Sequence, residues 1–218
     1  MIPLYDTLHS RRFPIVNWLL IALNLLVFLY EISLSPSGLN NLTQRWGLVP
    51  IQLMAHPATA WITIFTAMFL HGGWFHILSN MWVLFIFGDN IEDRLGRSRY
   101  LIFYLLSGVA AGLLESFVLP GSSVPMIGAS GAIAGVLGAY LVLYPHARIA
   151  SLVPILFIFT IIDVPAAIFL LFWFVSQLFS GWLTLQGSTG AGIAWWAHVG
   201  GFIFGMLAVN LFARRRAY

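Results

Sequence analysis

The feature that most constrains this chain is an apolar run that recurs at about the thickness of a bilayer. IVNWLLIALNLLVFLYEISL, residues 15–34, is the first, and further runs can be drawn at about 73–88, 98–119, 129–143, 165–184 and 194–212. A helix rises ~1.5 Å per residue, so about twenty apolar residues cross a ~30 Å hydrocarbon layer. Helices suit that medium because they satisfy their own backbone where lipid offers no partner. With 60% hydrophobic and 8% charged residues, the chain reads as an integral, multi-pass membrane protein. The expected fold class is all-α: a compact bundle of six transmembrane helices forming one domain over 1–218. MIPLYDTLHSRRFPIVNW has no basic region running directly into a short apolar core with a cleavage site, so the first run is expected to be a retained helix.

All ten basic residues are arginines, and they sit in short clusters beside the apolar runs. That distribution is a topology signal, and it excludes a nucleic-acid-binding face. Six spans with both termini cytoplasmic put Arg11, Arg12, Arg94, Arg97, Arg99, Arg148, Arg214, Arg215 and Arg216 inside, leaving Arg45 outside. A bacterial-type cell (inner) membrane fits this pattern. The apolar segment IASLVPILFIFTIIDV, 149–164, is interrupted by Asp163 and Pro165. Counting it as a seventh span would move the terminal arginines outside, so it is expected to dip into the membrane or pack on the helices. The long outer segment 35–72, with Trp46, Pro50 and Trp61, reads as interfacial structure.

Three polar groups then stand out at one depth. HGGWFHILSNMW opens the second span with His76 and Asn80 four apart on one helix face, and His71 in the loop before it. GASGAIAG opens the fourth span and contains Ser130; AWWAHVGG opens the sixth and contains His198. Spans two, four and six all start from the outer face, and the fourth is short, ~22 Å for about fifteen residues, which draws Ser130 below the outer surface. Gly131, Gly135 and Gly138 on the fourth span, and Ala197, Gly201, Gly205 and Ala208 on the sixth, recur at the spacing that lets two helix backbones touch.

Taken singly, each group has an ordinary explanation. Ser130 fits a packing serine, His198 an interfacial anchor, and His76 with Asn80 a pair of interhelical hydrogen bonds. Together they match the nucleophile and base of a hydrolase. A metal site is disfavoured, because His71, His76 and His198 have no acidic co-ligand and no H-E-x-x-H spacing; with no cysteine, thiolate chemistry is excluded. Ser130 and His198 would act as a dyad, since no Asp or Glu is evident at that depth to orient the histidine. The amide of Ser130 at a helix N-terminus, with Asn80 and His76, would receive an oxyanion.

These residues resemble the motifs of the rhomboid intramembrane serine proteases. The matching elements are H-x4-H-x3-N at His71, His76 and Asn80, G-x-S-G at Gly128 to Gly131, and A-H-x-G-G-x3-G from Ala197 to Gly205. GDNIEDRLGRSRY is similar to the family's loop after the second span, through Glu92 and Arg94. The resemblance implies a six-helix enzyme in which Ser130 is the nucleophile and His198 the general base. Asn80 and His76 would line the oxyanion hole, and His71 would support it. Its substrates would be transmembrane segments of other membrane proteins, cut near their outer ends in the lipid bilayer, with no metal, nucleotide or other cofactor. Where some members carry an aromatic four residues after the serine, this chain has Ala134, so Trp195 or Trp196 is expected to pack on His198. LQGSTGAGIA, 185–194, is a candidate cap, and Phe172, Trp173, Phe174 and Phe179 a candidate wall for substrate. The alternatives are an inactive relative that binds clients, which normally lacks the serine or histidine, and a small-solute transporter.

Overall fold

A computed structural model describes residues 1–155, 158–187 and 192–214. After a short strand β1 (Ile2–Asp6), the chain forms α1 (Ile15–Ser33), then four short helices, α2 (Pro36–Trp46), α3 (Pro50–Ala55), α4 (Pro57–Ala60) and α5 (Thr63–Thr66). Next come α6 (Trp74–Leu95), α7 (Arg97–Val118) and α8 (Ser130–Leu143), the strands β2 (Arg148–Ile155) and β3 (Ile158–Pro165), and finally α9 (Ala166–Leu185) and α10 (Trp195–Phe212). All six expected helices form, and the protein is an integral, multi-pass helical bundle.

Their lengths differ for physical reasons. α1, α7, α9 and α10 have both the length and the apolar composition to cross a membrane. α6 is long enough at 22 residues. It carries His76, Ser79 and Asn80 at one end and Asp89, Glu92, Asp93 and Arg94 at the other, which is the composition of a helix whose ends meet polar surroundings. α8 has 14 residues, and every one from Gly131 to Leu141 is buried. A helix that is apolar on all sides belongs at the centre of a bundle, and α6, α7, α9 and α10 surround this one.

Close approach to α10 is what the glycines provide. A Cβ added at Gly201 would lie 1.9 Å from the Gly131 carbonyl oxygen, and one at Gly205 would lie 2.0 Å from that of Gly135. The two backbones therefore touch through the small-residue stripes read in the sequence. Gly128, with φ of 119°, adopts a conformation that a side chain would strain.

The three glutamates each fasten one element to another by accepting backbone N–H groups. Glu92 receives those of Val16 (3.1 Å) and Asn17 (2.7 Å) at the start of α1. Glu31 receives that of His71 (3.1 Å), and Glu115 receives that of Ala197 (2.8 Å) in the first turn of α10. A carboxylate beside the unsatisfied amides of a helix start is favourable through both hydrogen bonding and the helix dipole. Glu92 thus ties α6 to α1, while Arg94 donates to the carbonyl of Arg214 after α10. Both motif residues are structural fastenings at the arginine-bearing end.

Segment 149–164 packs on the protein, but its backbone is satisfied by strand pairing instead of by other helices. β2 pairs antiparallel with β3, Arg148 opposite Pro165, and with β1, Ile2 opposite Leu152. Its Ile, Val, Phe and Thr content favours strands. Pro154, which has no N–H to give, lies beyond the stretch that β1 covers and so leaves no ladder bond to β1 broken. The segment 35–72, expected to be interfacial, holds the short helices α2 to α5, with Trp61 53% exposed. Arg215 and Arg216 lie outside the described residues.

Candidate active site

Ser130 is the first residue of α8 and His198 lies in the first turn of α10. The glycine contact between these helices brings His198 Nε2 to 2.8 Å from Ser130 Oγ. Both side chains line a cavity of about 580 Å³ walled by α6, α8, α9 and the start of α10. His76 and Asn80 line it from α6, and the cavity reaches Gly192, Ile193 and Ala194 before α10. Of the expected cap 185–194, residues 188–191 lie outside the described residues.

His76 is held in a defined state. Its Nδ1 accepts the N–H of Gly72 (3.3 Å), so its proton resides on Nε2. That Nε2 would be 2.6 Å from a Cβ placed on Gly128, and the same point is 3.7 Å from Ser130 Oγ. The absent side chain of Gly128 is therefore the space through which His76 faces the serine. Asn80 lines the cavity and gives one amide hydrogen to the His76 carbonyl (2.7 Å), leaving its second available to another acceptor. His71 is buried behind this pair, its ring 5.1 Å from that of His76, and it does not line the cavity.

Two rings flank His198. Trp195 lies edge-on with its centroid 6.0 Å away, as anticipated for the position left small by Ala134, and Trp173 of α9 lies at 5.9 Å. Trp196 instead packs against Gly181 of α9. Of the aromatics expected to wall the site, Trp173 faces it and Phe174 stacks on Phe202 at 4.5 Å. Phe172 and Phe179 point outward, 62% and 60% exposed.

Two polar residues at the site carry no motif in the sequence. Glu115 is an acidic group at this depth after all, but it binds the backbone of Ala197 next to the histidine. Gln177 of α9, 6% exposed, places Oε1 2.8 Å from His198 Nδ1. Its only sign in the sequence is an amide in the middle of an apolar span, a position where polar groups are costly unless partnered.

A serine and a histidine thus meet on two helix starts beside a cavity. Residues 58–215 match the family described as Rhomboid domain. The chain belongs to the rhomboid family. Rhomboid protein 1, mitochondrial, of Saccharomyces cerevisiae is 29% identical over 198 residues, 84% of this chain and 52% of that protein. RHOMBOID-like protein 1 of Arabidopsis thaliana is 38% identical over 109 residues, 50% of this chain and 26% of that one. Rhomboid protease GluP of Bacillus subtilis is 36% identical over 129 residues, 59% and 24% of the respective chains. The rhomboid chain thus spans a quarter to a half of the length of these curated relatives.

Proposed function

We propose that this rhomboid-family protein is an intramembrane serine endopeptidase that cleaves transmembrane segments of other membrane proteins. The observation that carries this reading is the 2.8 Å contact between His198 Nε2 and Ser130 Oγ in a largely apolar cavity into which His76, Asn80 and Gln177 also project. In the proposed reaction Ser130 Oγ attacks the scissile carbonyl carbon as its proton passes to His198 Nε2. The negative charge that develops on the carbonyl oxygen meets the Ser130 amide, the His76 Nε2–H and the free hydrogen of Asn80. Collapse of the tetrahedral intermediate breaks the C–N bond, and His198 protonates the departing amine. Water then attacks the acyl-enzyme by the same route and restores the serine.

The arginine distribution supports cytoplasmic termini and a site that opens to the outer face. His71 supports the site from behind His76. Because serine and histidine are both present and in contact, catalysis is favoured over client binding without cleavage. The test is to reconstitute the purified protein in liposomes with a single-span test substrate and follow cleavage and fluorophosphonate labelling. Both are expected to vanish in Ser130→Ala and His198→Ala. Cleavage that persists in Ser130→Ala overturns the mechanism.

A further inference from the structure

His198 offers Nε2 to Ser130 and Nδ1 to Gln177, each at 2.8 Å. A histidine that takes a proton at Nε2 must begin with its own proton on Nδ1, so whatever faces Nδ1 decides whether the base is ready. The orientation of the Gln177 amide is fixed from its other end. Gln177 Nε2 donates to the Trp173 carbonyl (3.1 Å) and to Ser176 Oγ (2.8 Å). Ser176 spends its own hydrogen on that same Trp173 carbonyl, so its oxygen is left to accept. Both hydrogens of the amide are therefore used within α9, and only the acceptor Oε1 remains for the imidazole. Turning the amide over would set Oε1 against a carbonyl and the NH2 group against Nδ1.

We propose that Gln177 is a positioning residue that fixes His198 in the Nδ1–H tautomer and so presents the Nε2 lone pair to Ser130. The inference rests on Ser130 and His198 being the catalytic pair. It places the orienting group on a third helix, and that group is neutral: it selects the tautomer without supplying the charge that a carboxylate would bring to an imidazolium. The other titratable groups at the site are His76, across the cavity on α6, and Glu115 on α7, whose carboxylate is engaged by the Ala197 amide.

Two variants and one spectrum test this. Gln177→Met keeps the shape and removes the acceptor; kcat is expected to fall on the order of tenfold with KM little changed, the size of effect one hydrogen bond controls. Gln177→Glu restores an acceptor and adds charge, so it should recover activity above that of the Met variant and move the acidic limb of the kcat/KM profile to higher pH. Nitrogen-15 spectra of histidine-labelled resting protein should show the His198 proton on Nδ1 in the parent and a tautomer mixture in Gln177→Met, a readout that needs no turnover and no change in unfolding temperature. A parent proton on Nε2, or a Met variant with parental kcat together with a Glu variant whose limb does not move, overturns the inference. If instead cleavage survives Ser130→Ala, it is the catalytic reading that fails, and the spectrum still reports on Gln177.

Discussion

Gly201→Ala tests whether the backbone contact between α8 and α10 sets the catalytic distance. The new methyl would sit 1.9 Å from the carbonyl oxygen of Gly131 and 3.3 Å from Ala134 Cβ. The nearer contact is to backbone, which no rotamer change relieves. Reaching the 3.4 Å of ordinary van der Waals contact moves the helices apart locally by about 1.5 Å. Gly131 adjoins Ser130, and Gly201 lies one turn beyond His198, so the separation falls on the Nε2 to Oγ gap. That gap opens from 2.8 Å to about 4 Å, outside the ~2.6–3.2 Å a proton-transfer pair needs. A misplacement of this size costs on the order of 10²-fold in rate, and overpacking costs about 1–3 kcal/mol of stability. The assay is the initial rate of substrate cleavage in liposomes beside thermal unfolding in detergent. Gly121→Ala, where nothing lies within 4 Å of the added methyl, is the control. Gly205→Ala, with its clash at 2.0 Å but one turn further from the pair, should destabilise similarly and slow cleavage less. A Gly201→Ala protein that cleaves within about twofold of the parent and unfolds at the same temperature would refute the reasoning.

Glu92→Ala leaves the amides of Val16 and Asn17 without their acceptor and is expected to cost about 2–3 kcal/mol, read as a lowered unfolding temperature, with Glu92→Gln retaining part of the loss. Glu115→Gln weakens the fastening of Ala197 beside His198; it should cost about 1 kcal/mol and slow cleavage while leaving fluorophosphonate labelling specific to Ser130. Asp6, in β1, has its carboxyl pushed by burial from its ordinary 3.8 up to about 6. Between those values the native state holds a proton that the unfolded chain has released. Its stabilising contribution is therefore complete below 3.8 and is lost as pH rises through about 6. Asp6→Asn removes this titration, so its unfolding temperature should gain on the parent's from acid to neutral pH; a difference that stays constant with pH would exclude the assignment.

Much of the site is legible in the sequence because small residues at helical spacing state which helices touch. Ser130 and His198 meet for the reason the stripes of Gly131, Gly135, Gly201 and Gly205 indicate, and His76 with Asn80 follows from a separation of four. Gln177 is different. Its meaning depends on α9 lying beside α10, and no periodicity in α9 announces that neighbour. Trp173 is hidden for the same reason, as one aromatic among several until the bundle shows which face turns inward. Glu115 is far from Ala197 in sequence, and a carboxylate that caps another helix leaves no local pattern. The pairing of β2 with β3 escapes notice because no Asn, Asp or Gly occurs anywhere in 149–162 to mark a turn, so two strands read as one apolar run.

The sheet has a consequence for where chemistry takes place. β2 begins five residues after α8 ends, and β1 is bonded to α8 through Asp6 and the hydroxyl of Tyr140. The three strands act as a pedestal that fixes the foot of α8, and the 14 residues above it act as a ruler. That ruler is ~21 Å long against ~30 Å of hydrocarbon, so in the proposed topology, with the foot of α8 at the inner surface, Ser130 would stand ~9 Å short of the far surface. Adding one helical turn to α8 would raise the serine by ~5.4 Å toward water, and adding a single residue would swing it ~100° away from His198. In the proposed reaction, the bond that is cut is selected by height: a substrate helix alongside the bundle meets the serine about six residues below its end, whatever side chains it carries there.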